Sequence, residues 1–265
     1  MKKKPRLGGG CKLCNQPTEK FSKSHIQPHW LVRDRAPTGD FYVISSDDPF
    51  KRQQRTGIYD FFLCPTCEDN SSQYDDYAAS FFRSADQWKV EMPHGFTFRV
   101  VLSYDYRRLK LFMMNVLFRS AATTQAFFEA VKLEPTNFDK LREMVRSEQP
   151  GDIDDFAVII NMRTKFAGLE RVGEAPKRFT DEDGNSWYRF DLNEFPCDIK
   201  TNCAPSNHSK ELILKPTPPL LIYEGPIALE RMERLRKTAI DRVEREQAQC
   251  VIDPKFAKVG TPQLD

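Results

Sequence analysis

Apolar residues recur along this chain with two different periods, and each period predicts a different element. Tyr74, Tyr77, Ala78, Phe81 and Phe82 repeat at i, i+3, i+4, i+7 and i+8, one face of a helix. Thr66 is placed to cap that helix. Glu68, Asp69, Asp75 and Asp76 crowd its early turns, where carboxylates suit the helix dipole. A stronger helix is predicted over 105–120, with a wide stripe of Leu109, Phe112, Met113, Val116 and Leu117, and Arg107, Arg108 and Lys110 near its start. Shorter helical pieces are predicted over 124–131 and 138–147, the second stopped by Pro150-Gly151. A long charged helix is predicted over 226–249, its narrow stripe made by Leu229, Met232, Leu235, Ala239 and Val243.

Period-two and continuous apolar runs predict the strands. Phe41-Tyr42-Val43-Ile44 and 58–63 are read as two strands of a hairpin, with Ser45-Ser46-Asp47-Asp48-Pro49 as a turn. Residues 96–102 and 187–192 alternate, the latter after the turn Asp183-Gly184-Asn185. Residues 156–162 read as a buried strand, and 212–214 and 220–223 flank a proline-rich kink. The acidic turn 152–155 lacks the ligand spacing and terminal Glu of a calcium loop. Pro28 disfavours helix at Gln27, so His25 is expected on an extended strand or tight bend. The expected class is α+β: an N-terminal unit over 11–83, then an α+β companion over 84–250 with a helical segment, a small antiparallel sheet and the long C-terminal helix. Residues 1–10 and 251–265 read as tails.

Composition narrows the function. A net charge of +2 over 265 residues makes no polyelectrolyte, so nucleic-acid binding must come from local clusters. Two such clusters exist. Lys2, Lys3, Lys4 and Arg6 precede three glycines, as in a mobile basic arm and unlike a signal peptide. Lys51, Arg52 and Arg55 form a strip suited either to phosphate contacts or to a solvated, charge-blunted hairpin edge. No apolar run reaches the ~20 residues that span a bilayer. The odd count of 7 cysteines suits a reducing, cytoplasmic setting.

The cysteines carry the strongest motif. Cys11-x-x-Cys14 and Cys64-x-x-Cys67 are two matching pairs, where chance gives about 0.2 in a chain with this cysteine content. Each pair sets two thiolates at tetrahedral spacing, and two pairs close a structural Zn2+ site with no open position. The competing reading, a redox dithiol, has no use for a second matching pair. Cys197, Cys203 and His208 have irregular spacing and read as unliganded loop residues.

Between the pairs lies Ser24-His25-Ile26-Gln27-Pro28, and Glu68 directly follows Cys67. This arrangement resembles the HNH endonuclease superfamily, in its bacterial branch with two C-x-x-C knuckles and an "SHI-P" segment. The resemblance covers about 11–83 and implies a treble-clef, ββα-metal unit. It implies His25 as general base activating water against a phosphodiester of DNA, or alternatively of RNA, with a Mg2+ or Mn2+ ion held by Glu68 and the residue before the histidine. That residue is normally acidic or histidine; here it is Ser24, so either His29 or an acid such as Asp69 completes the site with Glu68, or there is no catalytic metal. By analogy, a role in phage defence is expected. The alternative is a non-catalytic zinc module for nucleic acid or protein, with the 226–249 helix offering a protein partner or homodimer contact.

Overall fold

The computed structural model describes residues 9–35, 41–44, 51–53, 57–164, 172–206 and 210–225. The predicted basic arm, Arg55, His208 and the 226–249 helix lie outside them. The chain begins with β1 (Gly9–Gly10), β2 (Pro17–Thr18) and β3 (Ser24–His25), then α1 (His29–Arg35), β4 (Phe41–Ile44), β5 (Lys51–Gln53) and β6 (Tyr59–Asp60). Gly9 and Gly10 therefore belong to a hairpin, paired with Thr18 and Pro17, and not to the arm. Extended backbone at His25 is found as expected. Helix α1 was not foreseen, because its seven residues follow directly on Pro28.

The expected hairpin of 41–44 with 58–63 is not formed. β4 pairs with β5, while β6 pairs with β3, Ser24 opposite Asp60 and His25 opposite Tyr59. Parallel to β4 runs β10 (Val172–Glu174), from far along the chain. Next come α2 (Pro65–Arg83), β7 (Lys89–Glu91), β8 (Thr97–Val101), α3 (Tyr106–Ala122) and α4 (Pro135–Arg146). Helix α2 is capped by Cys64 with Pro65 in its first turn, so Thr66 is already inside it. Asp105 caps α3, its carboxylate accepting from the Arg108 N–H at 2.9 Å. The predicted piece at 124–131 shrinks to one 3-10 turn, Ala126–Phe128.

The remaining strands are β9 (Val158–Arg163), β11 (Lys177–Thr180), β12 (Ser186–Leu192), β13 (Phe195–Lys200) and β14 (Leu220–Gly225). They join β8 and β7 in a seven-stranded sheet of order β11-β12-β13-β9-β14-β8-β7. This is larger than the small antiparallel sheet expected, and β14 runs parallel to β9. Cys197 sits on β13, fully buried, and not in a loop. Residues 212–214 contribute only a bridge from Ile213 to Ile159.

Alternation sorts the sheet faces. Val158, Ile160, Tyr188, Phe190, Phe195 and Ile199 enter the main core, while Ile159 and Trp187 turn to a smaller cluster with Ile213 on the other side. Helix α3 is buried on every side from Leu109 to Ser120, the mark of a central core helix. It packs on α2, α4 and β13. One apolar cluster thus holds Cys11, Ile26 and Phe82 together with Phe112, Phe190 and Ile222.

Candidate metal centre and the His25 site

The first knuckle is the turn between β1 and β2. The Cys11 N–H donates to the Gln16 carbonyl at 2.9 Å and the Asn15 N–H to the Cys11 carbonyl at 2.8 Å. Asn15 closes the turn at φ 58°, which asparagine tolerates better than most residues. The second knuckle is the start of α2, where Cys64 is the cap and Cys67 lies in the first turn. The two are laced together: the Lys12 N–H reaches the Phe62 carbonyl at 2.9 Å and the Cys64 N–H reaches Cys11 Sγ at 3.3 Å.

The four sulfurs of Cys11, Cys14, Cys64 and Cys67 lie within 4.8 Å of one another, with Cys14 and Cys64 at 3.9 Å. Ligands at ~2.3 Å from a tetrahedral zinc stand about 3.8 Å apart, so the four thiols fit a structural Zn2+. Without a cation they resist joint ionisation. Burial and the nearby Cys11 push the Cys64 and Cys67 thiols up. Burial also works against the Cys11 thiolate, but the backbone N–H groups of Cys14, Cys64 and Leu13 outweigh it and hold Cys11 below its ordinary value. A bound metal would deprotonate all four.

His25 stands on β3 against this unit. Its ring is half-buried, with the His29 ring centroid 5.3 Å away and Tyr59 at 6.2 Å. Gly57, at φ 67°, runs past it: a Cβ there would lie 3.7 Å from His25 Cδ2 and only 3.0 Å from Val32. Glycine is needed both for the turn and for the close approach.

Beneath the histidine is a buried polar floor that the sequence motif does not contain. Arg119 of α3 has no exposed side-chain surface; its Nη1 donates to the His25 carbonyl at 3.2 Å and to Asp75 at 3.0 Å. Burial opposes its charge, but Asp75 and Glu68 outweigh that and keep the guanidinium ionised. Burial drives the Glu68 carboxyl upward, against the pull of Arg119 and the Ser24 hydroxyl. Asp75 Oδ1 and Arg119 Nε and Nη2 are buried without a hydrogen-bond partner. Orphaned donors and acceptors grouped this way call for bridging water or a cation.

Of the expected site residues, Ser24 and Glu68 are brought together, while the ring of His25, next to Ser24 on β3, lies against His29, Tyr59 and Gly57. Lys51 and Arg52 lie on β5, opposite Val43 and Tyr42. Asp69 is exposed on α2. Among the described residues, the four cysteines are the one group of three or more metal-ligating side chains that converges. No described helix is long and apolar enough to cross a membrane. Arg119, Asp75 and Gly57 were not anticipated; the available signal was an arginine three positions after Val116, continuing an apolar stripe. No protein-family model, no curated protein and no solved structure matches this chain.

Proposed function

We propose that this protein is an HNH-type nuclease, hydrolysing phosphodiesters with His25 as general base on a treble-clef, ββα-metal scaffold. The observation that carries the reading is the meeting of Ser24, the residue before His25, with Glu68 at the start of a helix whose first turn bears two of the four converging thiols. The segment before the second knuckle supplies β6, its strand partner. A neutral imidazole takes a proton from water as the water oxygen attacks phosphorus, and the bond to the leaving sugar oxygen breaks. Arg119 and Gly57 hold the strand and ring of that base in place. The adjacent buried oxygens of Glu68 and Ser24 would suit a Mg2+ or Mn2+ of the kind bound through one carboxylate and the substrate phosphates. Such an ion would neutralise charge on the scissile phosphate.

The test is cleavage of supercoiled plasmid and of single-stranded DNA and RNA by the zinc-loaded protein with Mg2+ or Mn2+. Wild type should cut at least one of these, and His25→Ala should lose about 100-fold or more in rate, the usual worth of a general base. Absence of cutting by wild type, or undiminished cutting by the variant, sinks the proposal. The second reading is a non-catalytic zinc module. It is favoured by one observation: Glu68 faces the fixed charge of Arg119, which competes with any cation. Binding of nucleic acid or protein without turnover would support it.

A further inference from the structure

Strand β6 is bolted to the end of α3 by its second residue, Asp60. Asp60 accepts from Thr123 Oγ1 at 2.8 Å, from the Thr124 N–H at 3.1 Å and Oγ1 at 3.2 Å, and from the Phe61 N–H at 2.8 Å. Burial works against its charge, but these donors hold its carboxyl below the ordinary range. Gln125 adds a bond to the Tyr59 carbonyl at 2.9 Å. With Asp60 committed to that side, strand alternation sends Tyr59 and Phe61 to the other. Their rings meet edge to face at 5.9 Å, and both are half-buried. Tyr59 also lies beside the His25 ring, and the exposed Lys23 places its ammonium 4.1 Å from the Tyr59 centroid.

A rigid aromatic pair with a cation, next to a phosphodiester-cleaving base, has a specific use. Nucleobases stack on such rings only when their faces are free; in a duplex only base edges and backbone are presented. We propose that Tyr59 and Phe61, with Lys23, form a stacking platform for unpaired nucleobases, so that the substrate is single-stranded nucleic acid. This rests on the nuclease reading of His25, but binding tests it separately from cleavage.

The experiment uses the full chain with zinc bound and no added Mg2+ or Mn2+. Fluorescence anisotropy compares labelled oligothymidylate, oligouridylate and a mixed-sequence duplex of equal length at one salt concentration. At least one single strand should bind about tenfold more tightly than the duplex. Tyr59→Ala should lose about tenfold, the worth of one stacked base, while Tyr59→Trp should restore it. Should the alanine variant fold poorly, wild type still answers: 2-aminopurine in the strand should be quenched by stacking. Equal or better duplex binding, undiminished binding by a folded Tyr59→Ala, or unquenched 2-aminopurine overturns the platform. Single-strand binding without cleavage upholds the platform and removes the nuclease; duplex preference with cleavage does the reverse.

Discussion

Lys110 illustrates how far one side chain can depart from what its type suggests. It has no exposed surface, and its ammonium nitrogen has no hydrogen-bond partner. Burial brings its pKa down to about 7; Asp155, Cys203 and Asp154 oppose this, while Lys200 adds to it. The unfolded chain keeps the ordinary value near 10.4. Between about pH 7 and pH 10 the unfolded state therefore binds more protons, and stability must rise with pH across that window. At about 1.4 kcal/mol per unit the gain amounts to several kcal/mol. Lys110→Met should flatten this rise and leave the protein at least as stable at pH 7, measured by urea denaturation across the range. A stability curve flat in wild type contradicts the assignment. From sequence, Lys110 was grouped with Arg107 and Arg108 as a charged helix start. Only tertiary packing distinguishes them: Arg107 reaches Glu148 at 2.8 Å at the surface, while Lys110 turns inward. The four cysteines were legible because their chemistry is written in local spacing.

Helices α2 and α3 meet through polar as well as apolar contacts. Ser71 donates to Asn115 at 3.1 Å, Asn115 donates back to the Leu111 carbonyl at 3.0 Å, and Asp75 holds Arg119. Removing one partner of a buried ion pair leaves an uncompensated charge. Arg119→Met should therefore cost about 3–5 kcal/mol, with Asp75 left behind. The double variant Arg119→Met/Asp75→Leu should recover most of that loss in chemical denaturation; on the proposed nuclease reading it should still cut poorly, because the His25 carbonyl has lost its donor. Recovery of activity along with stability would show that the guanidinium serves folding alone. The 3.6-residue period made both helices readable in advance. The pairing of β3 with β6 was not readable, because strands of two residues carry no pattern of their own. They are set by the knuckles on either side. The same limit hid the parallel partner of β4, since Val172 and Tyr42 are remote in sequence.

At the scale of the molecule, one apolar core joins the thiol cluster to the sheet. Cys11, Cys67, Trp30 and Trp88 share it with Phe195 and Ile222, whereas Trp187 belongs to the cluster on the far face. A structural zinc contributes on the order of 10 kcal/mol to folding. Chelation should lower the melting temperature markedly and perturb the fluorescence of Trp30 and Trp88 before that of Trp187, readable with single-tryptophan variants. Unchanged melting after metal removal would mean that the sulfurs hold nothing. The α+β class was legible from the two periodicities, but the seven-strand sheet was not, because edge strands such as β7 have only three residues.

The seamless burial of α3 has a further consequence for portability. Residues 11–83 contain every recognisable motif, yet the His25 carbonyl is held by Arg119, and its partner strand β6 by Thr123 and Thr124, from outside that stretch. A fragment cut after Arg83 would leave Tyr74, Ala78 and Phe82 facing water, with β6 unmoored. Transplanting the motif into a foreign scaffold would carry its ligands without its foundation, so recombination at this seam yields an inert knuckle.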